Sequence, residues 1–235
     1  VLDQRDDMDE AIAVWREGLD RTSPTEDLRP VALGNLADAL RQVERWEEAS
    51  AAYEEALTIY GALDDPPGED QTAYAWLGLA RVRKGQFRNA DAAAAYDHAA
   101  TVFGRRGGLN DVEQKARALS ERGDVLAAVG RYREAVETWQ RNLDVATELG
   151  WSSSVAAALD DMAEGWFNLG ETDQAIAARR EAARLHAENG DHYSLAVTNT
   201  NLASLVWGQG DVDEARGLTD AALASHLSRE EWWDA

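Results

Sequence analysis

The groups in this chain that could do chemistry are four histidines and 44 carboxylates, with no cysteine. His186 and His226 each stand eleven residues beyond an alanine, Ala175 and Ala215, near the expected end of a helix. A cation there complements the helix dipole, so a structural role is expected. Metal ligation by these or by His98 and His192 would need further ligands at helical spacing, and only carboxylates of solvated type are on offer. The segment Gly104-Arg105-Arg106-Gly107-Gly108 offers two arginines to an anion but lacks the Gly-Lys-Ser/Thr end of a phosphate loop, and it reads as a connecting loop. Residues 64–70 are acidic but miss the oxygen spacing of a calcium loop, and Pro66-Pro67 make the segment a loop. With so many carboxylates, a close pair carries no weight for acid–base catalysis. No enzyme, no metal and no cofactor are expected.

Composition narrows the partners. The formal net charge is −21, which opposes nucleic acid and anionic membranes, because phosphates are bound by Lys and Arg. A basic peptide or a basic protein face fits that charge. Hydrophobic residues make up 45% and include nine Trp, ample for a core and far from a disordered composition. No stretch approaches the eighteen or so apolar residues of a membrane span. The absence of cysteine suits a reducing compartment, and the cytoplasm is the expected location.

Any functional side chain must be positioned by the element that repeats. Ala11, Ala49, Ala90, Ala135, Ala175 and Ala215 stand 38, 41, 45, 40 and 40 residues apart. All but the first follow Glu44, Gly85, Gly130, Gly170 or Gly210 by five residues. Twelve before each of these five is a small residue, Ala37, Gly78, Gly123, Ala163 or Ala203, and three before is Trp46, Phe87, Tyr132, Thr172 or Val212. Offsets of three, four and seven are helical, so each unit is an antiparallel helix pair that approaches closely over its small residues. The first helix stops at the recurrent glycine and the second at Gly61, Gly104, Gly150 or Gly190, since glycine accepts the left-handed conformation of a helix end. Acidic residues at Glu47-Glu48, Asp173 and Asp213-Glu214 mark helix starts. The third unit is irregular: Tyr96 and Ala99 resume the pattern only with two extra residues.

These stretches, such as NLADALRQVERWEEASAAYEEAL, GDVLAAVGRYREAVETWQRNL and NLASLVWGQGDVDEARGLTDAAL, resemble the tetratricopeptide repeat over roughly residues 6 to 228. The period is about 40 instead of the usual ~34, a length shared with HEAT and armadillo units, which lack the Gly-x-aromatic-x-x-Ala turn. The resemblance implies an all-α superhelix of about five and a half helix pairs over residues 1–235. Its units are 1–26 (a lone second helix), 27–68, 69–108, 109–150, 151–190 and 191–228, with 229–235 starting a next unit or cap. The chain begins at Val1 inside a helical pattern and stops at Trp232-Trp233-Asp234-Ala235, so a segment of a longer, bacterial regulatory protein is expected. The Trp pair also offers a contact for a homodimer.

In the family resembled, the first helices line a groove through positions two, five and six before their small residue and one, four and five after it. Carried over, this implies Asn35, Asp38, Arg41 and Gln42, then Trp76, Leu79 and Arg83, then Glu121 and Asp124. It adds Asp160, Asp161, Glu164, Phe167 and Asn168 from the fifth unit and Thr200, Asn201, Ser204 and Trp207 from the sixth. The Lys/Asn clamp that holds a C-terminal carboxylate in some members is not matched. The implied function is protein or peptide binding along this face, with Trp as anchor and amides for the partner's backbone. The alternative is a sensor arm of a larger signalling ATPase or transcriptional regulator, binding an inducer or its own switch domain.

Overall fold

A computed structural model describes residues 2–21, 28–62 and 69–230. The expected loop at 64–70 lies largely outside the described residues, as do Trp232-Trp233; the side chain of His226 is not described either. Every regular element described is a helix: α1 Leu2–Arg21, α2 Arg29–Gln42, α3 Trp46–Ala62, α4 Glu69–Gly85, α5 Asn89–Arg106, α6 Leu109–Ala128, α7 Tyr132–Glu148, α8 Ser152–Asn168, α9 Thr172–Glu188, α10 His192–Gly208 and α11 Val212–Glu230. None of them is long and apolar enough to cross a membrane. The chain divides into two compact units, Val1–Val129 and Gly130–Ala235. In the first, α1 to α6 pack each on the next, and α2 also touches α4; in the second, α7 to α11 do the same. Contacts run between chain neighbours, as in a stack of repeats.

Helix ends explain the pattern. Gly130, Gly150, Gly170, Gly190 and Gly210 all have positive φ. After Gly150, Gly170, Gly190 and Gly210 the next residue closes the helix by a bond five residues back, as in Trp151 N to Ala146 O at 2.9 Å and Glu171 N to Trp166 O at 2.8 Å. This is the capping arrangement that a left-handed residue permits. The third unit departs from the expectation. Its left-handed residue is Phe87 at φ 59°, not Gly85, which belongs to α4. Likewise α5 runs through Gly104 and ends at Gly107, φ 71°, so the Arg105-Arg106 pair closes a helix instead of forming a loop. Gly61 also lies inside its helix, α3.

The shift is two residues, and it removes the irregularity. Counted from the left-handed residues Glu44, Phe87, Gly130, Gly170 and Gly210, the spacings are 43, 43, 40 and 40. The recurrent alanine of the third unit is therefore Ala92, fully buried, while Ala90 is exposed. Ala49, Ala92, Ala135 and Ala175 all have no exposed surface, and Ala215 has little. The small residue of the first helix becomes Ala80, also fully buried. Phe87 holds a strained conformation with its ring 90% exposed, so the side chain returns almost no burial energy. The left-handed region costs a non-glycine residue roughly 1–2 kcal/mol. Phe87→Gly is expected to raise stability by about 1 kcal/mol, seen as a higher urea midpoint, whereas Phe87→Ala should leave the midpoint in place.

Cores form where helices meet. Leu36, Leu40, Tyr53, Tyr60, Leu79 and Val82 are buried together in the first unit, with Trp46 and Trp76 half-buried against them. In the second, Ile176, Leu202, Val206 and Ala215 pack together, and Ala163, Ala175 and Ala178 form a small-residue contact between α8 and α9.

Candidate functional site

Carboxylates on the first helices are tied down from the second helices. In the first unit Asp38 Oδ1 accepts from Tyr53 Oη at 2.7 Å and from Arg41 at 3.3 Å. Glu121 of α6 accepts from Arg81 at 2.9 Å, Tyr96 Oη at 2.6 Å and Arg117 at 3.2 Å. Burial pushes the Tyr53 and Tyr96 hydroxyls well above the usual phenol range, and the carboxylates they face push the same way. For Glu121, burial works to raise the value, but the bonds from Arg81 and Tyr96 outweigh it and hold the carboxyl below its usual 4.5. A carboxyl depressed in the folded state adds stability that is complete above its unfolded value and disappears as pH falls through the folded one. Glu121→Gln is thus expected to flatten the loss of stability below pH 4.5; an acid limb as steep as the parent's would refute this.

The second unit builds a deeper arrangement. Asp160 of α8 accepts from Arg179 Nη1 of α9 at 2.6 Å, meets His186 Nε2 of α9 at 2.9 Å and accepts from Thr198 Oγ1 of α10 at 2.8 Å. Arg179, His186 and Thr198 are all buried. One carboxylate thus joins three successive helices, balanced by charge and hydrogen bonds where an unpaired one would be costly. Above this floor lies an open concavity of about 360 Å³. Its α8 wall carries Ala157, Asp161 and Glu164, and its α10 wall carries Tyr193, Val197 and Asn201. Each set recurs at helical spacing, so two stripes face each other. Tyr193 is 57% exposed and Val197 40%. His186 Nδ1 is buried and has no hydrogen-bond partner. Among the described residues, no three metal-binding side chains stand together.

Residues 32–67 match the family model described as tetratricopeptide repeat, and residues 126–208 match that described as anaphase-promoting complex subunit 5. Among solved structures, BtubC (BKLC) from P. vanneervenii is similar at 18% identity and TM-score 0.71, over 95% of this chain and 92% of that one. The apo form of RapI is similar at 16% identity and TM-score 0.79, over 92% of this chain but only 59% of RapI. YrrB, described as a TPR protein with an unusual peptide-binding site, is similar at 16% identity and TM-score 0.62, over 90% and 91% of the two chains. This chain folds as a tetratricopeptide-repeat solenoid. No curated protein matches its sequence. At such identities the structural likeness speaks for the fold alone.

On this tetratricopeptide framework the expected residues scatter into several places. Asp161, Glu164 and Asn201 line the α8–α10 concavity together with Asp160. Phe167, 55% exposed, and Asn168 stand at the end of α8, where the Asn168 amide donates to Glu164 O at 2.8 Å. Trp207, 67% exposed, lines a separate concavity of about 330 Å³ with Val212, Arg216 and Thr219 of α11. In the first unit Asn35 and Asp38 border a small cleft with Tyr53, Tyr60 and Tyr74. Asp124 is exposed on α6, and Glu121 and Arg41 belong to the networks above.

The two-residue shift corrects the third unit: the repeat positions read as Trp76, Leu79 and Arg83 fall on Gly78, Arg81 and Gly85. Leu79 is core, Trp76 stacks on His98 with ring centroids 4.4 Å apart, and Arg83 reaches Glu54 at 3.4 Å. Arg81, missed from sequence, is the partner of Glu121. Counting 43 residues on from Asp38 would have found it. His186 is likewise corrected: it closes α9, but its ring serves Asp160 and not merely the helix dipole.

Proposed function

We propose that this chain is a non-catalytic interaction module that binds an extended, basic segment of a protein partner against its first helices. The observation that carries the reading is the α8–α10 concavity, where exposed Tyr193 and Val197 stand opposite Asp161 and Glu164. Exposed apolar side chains beside carboxylates suit a partner that is both basic and apolar. Asn201, and Asn35 on α2, offer amides to a partner's backbone. YrrB, of similar fold, has a peptide-binding site.

A display library of disordered protein segments, selected on the chain and on a variant with Asp124→Arg, Asp161→Arg and Glu164→Arg, tests the reading. Segments rich in Arg or Lys should be enriched on the parent and lost on the variant, with helical circular dichroism unchanged. Equal recovery on both would sink it. RapI, of which the match spans 59%, favours a second reading in which the array is a sensor arm within a longer regulator. That reading expects tighter binding to a flanking domain of the same protein than to any displayed segment.

A further inference from the structure

We propose that the outer face of α11 is a homodimer contact, on which α11 of a second copy packs antiparallel. The face is a single stripe, Val212, Arg216, Thr219 and Leu223, with successive steps of four, three and four residues. Residues so spaced share one side of a helix. All four are exposed, Val212 by 50% and Leu223 by 56%. Exposed Trp207 of α10 borders the same cleft as Val212, Arg216 and Thr219. This surface lies apart from the α8–α10 concavity, so the proposal stands whether or not that concavity binds a segment.

The preceding repeat shows what such a face is built to hold. Forty residues earlier the stripe reads Thr172, Ile176, Arg179 and Ala183 on α9, and there none of the four is exposed. The cover is a helix: α10 packs on α9, and Ile176, 5% exposed, joins the core of Leu202, Ala203 and Val206. The face of α11 continues that interface. With its four residues exposed, no described helix takes on α11 the place that α10 takes on α9.

The stripe itself favours a second copy over a different partner. Its spacing reads the same from either end, so a two-fold axis between residues 217 and 218 sets Val212 against Leu223 of the second copy. The same axis sets Arg216 against Thr219 of the second copy. A closed symmetric contact needs self-complementarity of this kind. Asp220 follows Thr219 and, at about 100° per residue, falls on the same flank of the stripe as Arg216. The two-fold keeps that flank on one side of both helices, which brings each Arg216 beside the second copy's Asp220. Both charges are exposed, and neither has an ion pair among the described residues. Apolar side chains thus meet at both ends of the contact, and base meets acid near its middle.

The net charge of −21 repels a second copy at long range, so association is measured at about 0.15 M salt, where the Debye length is ~8 Å. Sedimentation velocity of the full chain over micromolar concentrations should show a monomer–dimer equilibrium. Arg216→Glu and Asp220→Arg each set like charges opposite one another, and each should raise the dimer Kd at least about tenfold. An equimolar mixture of the two variants should return to within about threefold of the parent, because every facing pair is again opposite in sign. Recovery on mixing also shows that both variants are folded. A chain that stays monomeric throughout would overturn the proposal. Single variants that dimerise like the parent would do the same, as would a loss that mixing does not recover. A dimer abolished by Trp232→Ser with Trp233→Ser, yet indifferent to the α11 changes, would place the contact elsewhere and overturn it too.

Discussion

Asp160→Ala is expected to destabilise the Gly130–Ala235 unit by about 3–5 kcal/mol, the cost of leaving a buried ion-pair partner uncompensated. The change strands Arg179, whose side chain is 11% exposed, and removes the acceptor of His186 and Thr198 at once. Repeat arrays unfold with limited cooperativity, so the measurement is amide exchange across α8, α9 and α10 as well as the urea midpoint. The exposed neighbour on the same helix is the control: Glu164→Ala should stay within about 0.5 kcal/mol. Pairing Asp160→Leu with Arg179→Met should recover part of the loss, because an apolar pair of similar volume can replace a buried ion pair. An Asp160→Ala variant as stable as the Glu164→Ala control would show that the three-helix junction does not depend on this carboxylate.

Gly78→Ala should cost about 3 kcal/mol in the Val1–Val129 unit, at the upper end for overpacking a core. A Cβ at residue 78 would lie 2.3 Å from Cζ and Oη of Tyr53. The ring has no room to retreat: Tyr53 is 2% exposed, and its hydroxyl is held by Asp38 at 2.7 Å. Gly34 provides the opposite sign. It lies inside α2 with nothing within 4 Å of an added Cβ, so Gly34→Ala should stabilise by about 0.5–1 kcal/mol through helix propensity. Removing the obstacle separates sterics from propensity, since in a Tyr53→Ala background the penalty at residue 78 should disappear. Equal effects at residues 34 and 78 would mean that α3 and α4 do not meet as closely as Tyr53 and Gly78 place them.

The sequence was most legible where glycine marks a turn. Gly130, Gly170 and Gly210 adopt the left-handed conformation that their spacing implied, and Gly150 and Gly190 close the second helices in the same way. The third unit misled because its turn residue is Phe87, a type that avoids this conformation, while Gly85 two residues earlier imitates the marker. The error carried into the site, putting Leu79 in the place of Arg81, and Trp76 and Arg83 in the places of Gly78 and Gly85. Nothing local distinguishes the two registers; burial does, since Ala92 and Ala80 are enclosed and Ala90 is not.

By itself, then, the sequence determined the all-helical class, the repeating helix pair and the chain's own net charge of −21. Those properties are local or summed: helical spacing, turn chemistry and net charge need no knowledge of distant neighbours. Only the tertiary structure decided where on the fold each carboxylate sits. Asp160 and Asp161 are adjacent in the chain, yet one is tied to His186, 26 residues away, and to Thr198, 38 residues away. The other lines an open concavity. A helix turns each successive side chain by about 100°, so which of two adjacent carboxylates meets the next helix depends on how the helices stack.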